Sequence, residues 1–205
     1  MSAFLKAAVV FAAVFILASG LAPAQNRVEV TGSVGYQFGG RVPTTDGVLE
    51  FSDDANLGFT LDVTVRKHAM VEISYSRKNG TAMFLPAAGG SEPPFGVTVE
   101  YLQLGGFYEG ASAVVRPFGL MTLGLANVSP RDPGGENEMR FAAAAGAGVK
   151  LYLSPRIGVR LQGRLMFPFL SAGGVFMFGP DGTFVLIHST VLVRGDLSAG
   201  LFVGF

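Results

Sequence analysis

From residue 28 onward, apolar residues recur at every second position in one segment after another. At the C-terminal end Leu197, Ala199, Leu201, Val203 and Phe205 share one face, while Asp196, Ser198, Gly200, Phe202 and Gly204 share the other. Between 156 and 167, Ile157, Val159, Leu161, Leu165 and Phe167 oppose Arg156, Arg160, Gln162 and Arg164. Phe141, Ala143, Ala145, Ala147, Val149 and Leu151 alternate with Arg140, Ala142, Gly146, Gly148, Lys150 and Tyr152. Toward the N-terminus, Val28, Val30, Val34 and Tyr36 oppose Glu29, Thr31 and Gln37. Leu57 to Val65 oppose Thr60, Asp62 and Arg66, and Val71, Ile73 and Tyr75 oppose Glu72 and Ser74. A period of two is the repeat of a β-strand whose two faces meet different surroundings.

Two further segments are strand-like but less regular. In 96–108 the apolar parity switches between Val99 and Leu102, for which a β-bulge is expected, and in 112–126 Pro117 interrupts, as proline does at a bulge or strand end. The count is eight strands. The connections after the second, fourth and sixth are short, at Lys67-His68, Glu109 to Ala111 and Ser154-Pro155. The other four, roughly 39–55, 78–95, 127–137 and 168–190, are long and rich in Gly, Pro, Asp and Asn.

Composition narrows the reading. The chain carries 29 glycines, many inside apolar stretches, where each would cost a helix about 1 kcal/mol relative to alanine. It has no cysteine, which removes disulfides, thiolate chemistry and a lipid-modified N-terminal cysteine. Its formal charge is zero, so no basic field draws nucleic acid. Half the residues are apolar, yet nothing after residue 24 reads as a spanning helix. Strands of about 9–11 residues with one lipid-facing side reconcile these facts. Residues 1–24 read as a cleaved signal peptide: Lys6 precedes the apolar run Ala7–Ala18, Ala22-Pro23-Ala24 supplies the small residues of a cleavage site, and cleavage is expected before Gln25. Residues 25–205 then form one domain.

The order and spacing of Gly32-Ser33-Val34-Gly35-Tyr36, Tyr101-Leu102-Gln103-Leu104, Arg116-Pro117-Phe118 and the terminal Leu201-Phe202-Val203-Gly204-Phe205 resemble the eight-stranded outer-membrane barrels of the OmpA, OmpX and OmpW type. The resemblance covers essentially all of 26–205. It implies an all-β fold, an eight-stranded antiparallel up-and-down transmembrane barrel with short periplasmic turns and long extracellular loops in a bacterial outer membrane. It also implies that Leu201, Val203 and Phe205 form the C-terminal signal read by the barrel-assembly machinery. The partners implied are outer-membrane lipid and lipopolysaccharide, with the loops free to meet a surface partner. A water-soluble lipocalin-like barrel is the structural rival, but it predicts neither the strict alternation of long and short connections nor a terminal phenylalanine.

If the apolar parity faces lipid, the interior collects Glu29, Asp62, Glu72 and Asp196 with Arg66, Arg140, Lys150, Arg156, Arg160, Arg164 and Arg194, and Glu100 and Arg116 join them. An eight-stranded barrel is only wide enough for side chains to fill it, and buried charges must pair. An ion-pair plug is the expectation. The alternative is a small channel for anions or hydrophobic solutes, as the resemblance to OmpW-like proteins implies.

Little in the chain points to catalysis, and no cofactor or metal site is expected. His68 falls in a short turn and His188 near the opposite rim, too far apart to share a metal. The His188-Ser189 pair invites comparison with outer-membrane lipid A deacylases, but no nearby carboxylate orients the imidazole. Among the loop acids, Asp53, Asp54, Asp132, Glu136 and Glu138 read as solvated rather than as calcium ligands. In the last long loop, Gly179-Pro180-Asp181-Gly182 signals a turn. Its apolar flanks, with Phe176 and Phe178 on one side and Phe184 and Leu186 on the other, predict a long hairpin. Pairing Gly179 with Gly182 sets residue 156 opposite 205 and requires one bulge, expected at Gly173-Gly174. The function expected is therefore that of a non-enzymatic structural or surface-interaction barrel, with loop 168–190 as its contact element.

Overall fold

The computed structural model describes residues 28–44, 47–90, 93–131, 137–168, 177–178, 184–185 and 193–205. The strands are β1 (Val28–Gln37), β2 (Gly40–Thr44), β3 (Gly47–Phe51), β4 (Asp54–Arg66), β5 (Ala69–Pro86), β6 (Phe95–Glu109), β7 (Val115–Pro130), β8 (Glu138–Tyr152), β9 (Ile157–Pro168), β10 (Met177–Phe178), β11 (Phe184–Val185) and β12 (Arg194–Gly204). Eight of them, β1, β4, β5, β6, β7, β8, β9 and β12, form a closed antiparallel ring. β1 bonds to both β4 and β12, and the β5–β6 ladder completes the circuit. Closure leaves these eight without a free edge, the condition for strands to cross lipid. The described residues contain no helix long and apolar enough to cross a membrane.

The period of two is realised as outside against inside. Val34, Leu57, Met121, Leu123, Phe141 and Leu201 are outward and exposed, Met121 to 74 %. Such a belt of bare large apolar side chains would be costly in water and is favourable in hydrocarbon. The inward parity holds Glu29, Asp62, Glu72, Lys150, Arg160 and Arg164, all at most 5 % exposed.

Several connections differ from the sequence expectation. The 39–55 segment contains the β2–β3 hairpin, which pairs through β3 with the far end of β5, Phe51 opposite Ala82 and Gly47 opposite Pro86. β5 thus runs on to Pro86 instead of ending near Ser76, because β3 on one side and β6 on the other satisfy its backbone. β7 likewise continues to Pro130. Pro117 sits two residues from the start of β7, opposite Val149 in an unbroken ladder, so no bulge is needed there.

No bulge occurs in β6 either. Its register is continuous against β5 from Tyr108 to Phe95 and against β7 from Glu109 to Val97. The parity switch there is real and has a different cause. Toward the long-loop end Val97, Val99 and Tyr101 point inward and are buried, while Thr98 and Glu100 take the outward face, where their neighbours cover them to 6 % and 3 % exposure. The outward neighbours at that level are Arg77 on β5 and Asn127 on β7, and the next level carries Asn79, Thr98 and Ser129. One level lower, the outward set is Tyr75, Leu102, Leu125 and Phe141. The wall turns from apolar-out to polar-out within two residues, as expected where a strand leaves lipid for water.

A register shift does occur between Thr64 and Arg66 in the β4–β5 ladder. A one-residue shift reverses which face a side chain takes, and Arg66 is exposed at the short-turn end rather than inside. Arg156, in the turn before β9, is exposed as well. Of the last long loop, β10 and β11 pair Phe178 with Phe184 and Met177 with Val185. These two pairs are in a register one residue off the expected one, which would set Phe178 against residue 183, and the rest of the predicted hairpin lies outside the described residues. In the barrel, Val203 faces Ile157 and the Gly204 amide donates to the Arg156 carbonyl, so 156 stands level with 204 rather than 205. Odd residues face odd ones in both stretches, which removes the parity conflict that called for a bulge. Residues 1–24, Gln25, Phe176, Leu186, His188, Ser189 and the Gly173-Gly174 pair lie outside the described residues.

Candidate functional site

Of the buried charges among the described residues all but Glu100 lie in the lumen, and its middle is a chain of alternating ions. The Lys150 ammonium contacts the Glu29 carboxylate and lies 3.3 Å from Asp62 Oδ2. The Arg160 guanidinium bridges Asp62 at 2.8 Å and Glu72 at 2.5 Å, and Arg164 meets the other oxygen of Glu72 at 2.8 Å. Three acids and three bases therefore alternate across five strands: Glu29 from β1, Asp62 from β4, Glu72 from β5, Lys150 from β8, and Arg160 with Arg164 from β9. Every pair joins strands that are not neighbours in the ring, β8 to β1 and β4, and β9 to β4 and β5, so each bond crosses a lumen only wide enough for side chains. Arg164 also donates to the Ser74 hydroxyl at 3.1 Å, and Arg160 Nε donates to Gln162 at 2.8 Å.

Aromatic rings complete the cation sites. Lys150 Nζ lies 4.4 Å from the centre of the Phe107 ring, and the Arg160 guanidinium lies 4.7 Å from that of Phe118. Two glycines make room for this. Phe118 is directly opposite Gly148 and Phe202 opposite Gly158. A Cβ on Gly148 would fall 2.5 Å from the Phe118 ring, and one on Gly158 would fall 2.4 Å from that of Phe202. Cations over aromatic faces gain attraction that grows when water is excluded.

At the short-turn end Arg116 pairs with Glu109 at 2.8 Å and stacks over Tyr152, whose hydroxyl donates to Glu29 at 2.8 Å. At the other end of the ladder lies a polar layer of Asn56, Thr60, Ser74, Gln103, Gln162, Ser198 and Asp196, in which Asn56 donates to Asp196. It encloses a cavity of about 20 Å³, room for about one water. Above it Val99, Tyr101, Ala126, Ala142, Ala144 and Met166 form a buried apolar cluster, followed by Phe51, Ala82 and Val97. Arg194 and Arg140 lie in this upper, apolar part, Arg140 against Glu138.

The structure thus brings Glu29, Asp62, Glu72, Lys150, Arg160 and Arg164 into one network, joins Arg116 to it through Glu109, 3.9 Å from Lys150 Nζ, and places Asp196, Arg140 and Arg194 in separate layers. Glu100 is a correction: it faces outward, where it accepts from the Tyr75 hydroxyl at 2.6 Å and from Asn127 at 3.3 Å, with Arg77 at 4.0 Å. Its continuous register gives it the parity of Leu102 and Leu104, not that of Tyr101 and Gln103. Two inward charges escaped the sequence reading. Glu109 looked like a turn residue and Lys78 like a loop residue, yet each lies within its ladder and is buried; Lys78 donates to the Ser52 carbonyl at 2.6 Å. The only sequence signal for either was the even spacing that joins Lys78 to Glu72, Ser74 and Ser76.

No protein-family model and no curated protein sequence matches this chain. Solved structures do. The chain is similar to Neisserial surface protein A with a TM-score of 0.59 at 14% identity, over 87% of this chain and 97% of that one. It is similar to the outer membrane protein OprG from Pseudomonas aeruginosa with a TM-score of 0.54 at 12% identity, over 89% of this chain and 98% of that one. The fold is that of the eight-stranded outer-membrane β-barrels.

Proposed function

We propose that this protein is a non-enzymatic barrel of a bacterial outer membrane whose lumen is closed, and that its work is done by the surfaces at its long-loop end. The observation that carries this reading is the neutral six-charge ladder from Glu29 to Arg164. Every charge in it has an opposite partner within 3.3 Å, and no member is more than 5 % exposed. Such a network holds no free ion site, and opening it would strand charges in a low-dielectric interior. The outward apolar belt supports the membrane location. Residues 1–24 act as the export signal, with Gln25 the first residue after cleavage, and Leu201, Val203 and Phe205 are what the barrel-assembly machinery reads. The long-loop end is set toward the cell exterior, where its loops, 168–190 among them, meet lipopolysaccharide or a surface partner.

Planar-bilayer conductance of the refolded protein tests the closed lumen, beside the double variant Arg160→Ala/Arg164→Ala. A silent protein with heat-modifiable gel mobility is the expected result. Steady conductance whose ion selectivity changes in the double variant would replace this reading with that of an anion channel.

A further inference from the structure

Above the apolar cluster the long-loop end of the barrel holds a cavity of about 210 Å³. Its walls are apolar, formed by Phe51, Ala82, Val97, Tyr101, Ala126 and Val128. Three charged side chains are set among them, Arg194 and the paired Arg140 and Glu138. Arg194 is 2 % exposed and lines this cavity, its guanidinium lies 4.3 Å from the centre of the Phe51 ring, and its Nε has no hydrogen-bond partner. Among the described residues no carboxylate lies within 4.0 Å of it, whereas every base of the ladder has one within 3.3 Å. Asp196, the acid two positions along the same face of β12, accepts from Asn56 instead. Glu138, on the same wall, is held by Arg140. A buried guanidinium without an anion is costly; this one hydrogen-bonds the Tyr101 side chain and leaves its Nε without a partner.

We propose that the mouth binds a small monocarboxylate with an apolar body, between about benzoate and octanoate in size, its carboxylate on Arg194 and its body against Phe51, Val97 and Val128. The planar fork of arginine matches a carboxylate in shape and charge. The walls disfavour a strongly hydrated ion such as phosphate, which would find few donors to replace its water. The size follows from the volume, since apolar cavities of about 150 Å³ take up benzene. Tyr101 lines both this cavity and the one-water cavity beneath it, so the site is blind at its floor. The proposal rests on the closed-lumen reading for that floor alone. Conductance tests the floor and ligand titration tests the pocket, so either can fail without the other.

The experiment is a ¹⁹F NMR titration of 4-(trifluoromethyl)benzoate against the protein refolded into lipid nanodiscs, with empty nanodiscs as blank and 4-(trifluoromethyl)benzamide as the neutral match. Saturable binding of the carboxylate is expected, at least about tenfold tighter than the amide. Arg194→Gln should weaken it by at least about tenfold, and Lys67→Gln, in a turn at the opposite end, should leave it unchanged. Ala126→Met keeps every charge and fills the wall, so it should abolish binding while heat-modifiable mobility is retained. Absence of saturable binding beyond the blank, equal affinity for the amide, or wild-type affinity in folded Ala126→Met would each overturn the proposal.

Discussion

The barrel has two ends with opposite chemistry built on one continuous set of strands. Around Asp62 and Glu72 the inside is charged and the outside is leucine, valine and phenylalanine. Around Val97 and Val99 the inside is apolar and the outside carries Arg77, Glu100 and Asn127. Backbone geometry does not change between them, since the β5–β6 and β6–β7 ladders run through the switch without a register break. What changes is the medium. Lipid outside the lower part leaves the lumen as the only place where charges can be satisfied, whereas water outside the upper part lets polar groups face out and the interior pack as in a soluble barrel. A membrane boundary at this level on β5, β6 and β7 is what the switch predicts.

The largest expected effect comes from the lower interior. Glu72→Ala leaves both Arg160 and Arg164 short of a counter-ion and should cost about 3–5 kcal/mol. Urea unfolding in lipid vesicles measures this, followed by far-UV circular dichroism because the chain has no tryptophan. A cost no larger than that of Glu138→Ala, whose pair with Arg140 is partly solvated, would erase the contrast between the two ends. Next comes the exterior. Met121→Arg, in the middle of the apolar stretch of β7, should cost about 2–4 kcal/mol, while Ser129→Arg, on the same face beyond the switch, should cost under about 1 kcal/mol. Equal costs would mean that the boundary lies elsewhere. Tyr75→Phe, at the switch itself, removes the donor to Glu100 and should cost about 1.5 kcal/mol in the same assay. The smallest effect belongs to Arg41→Ala, which removes an exposed pair with Glu50 at 3.0 Å in the β2–β3 hairpin and should cost under about 1 kcal/mol.

Alternation alone was enough to put Glu29, Asp62, Glu72, Lys150, Arg160 and Arg164 on inward faces, because one parity held through each of those segments. It failed at Glu100 because a change of parity in the sequence has two physical causes, a bulge that turns the backbone or a change of medium that turns the preference, and the pattern is the same for both. It failed at Arg66 for the converse reason: a register shift turned the face where the residue types kept alternating. Alternation put Phe202 on the inward face, but the place of Phe107, Phe118 and Phe202 beside Lys150 and Arg160 depends on cross-strand neighbours no local pattern contains.

The sequence by itself determined that the chain is all-β, that eight segments have one apolar face, and that short and long connections alternate, because these follow from side-chain period and turn chemistry within a few residues. Which ions meet which was decided only by closure of the ring. The register of each ladder sets the height of every inward side chain, and the narrow lumen then leaves each charge a few partners within reach. The same closure left Arg194 in an apolar mouth with Asp196 already taken by Asn56. That vacancy depends on how β4 and β12 align across β1, a relation between residues 140 apart in the chain.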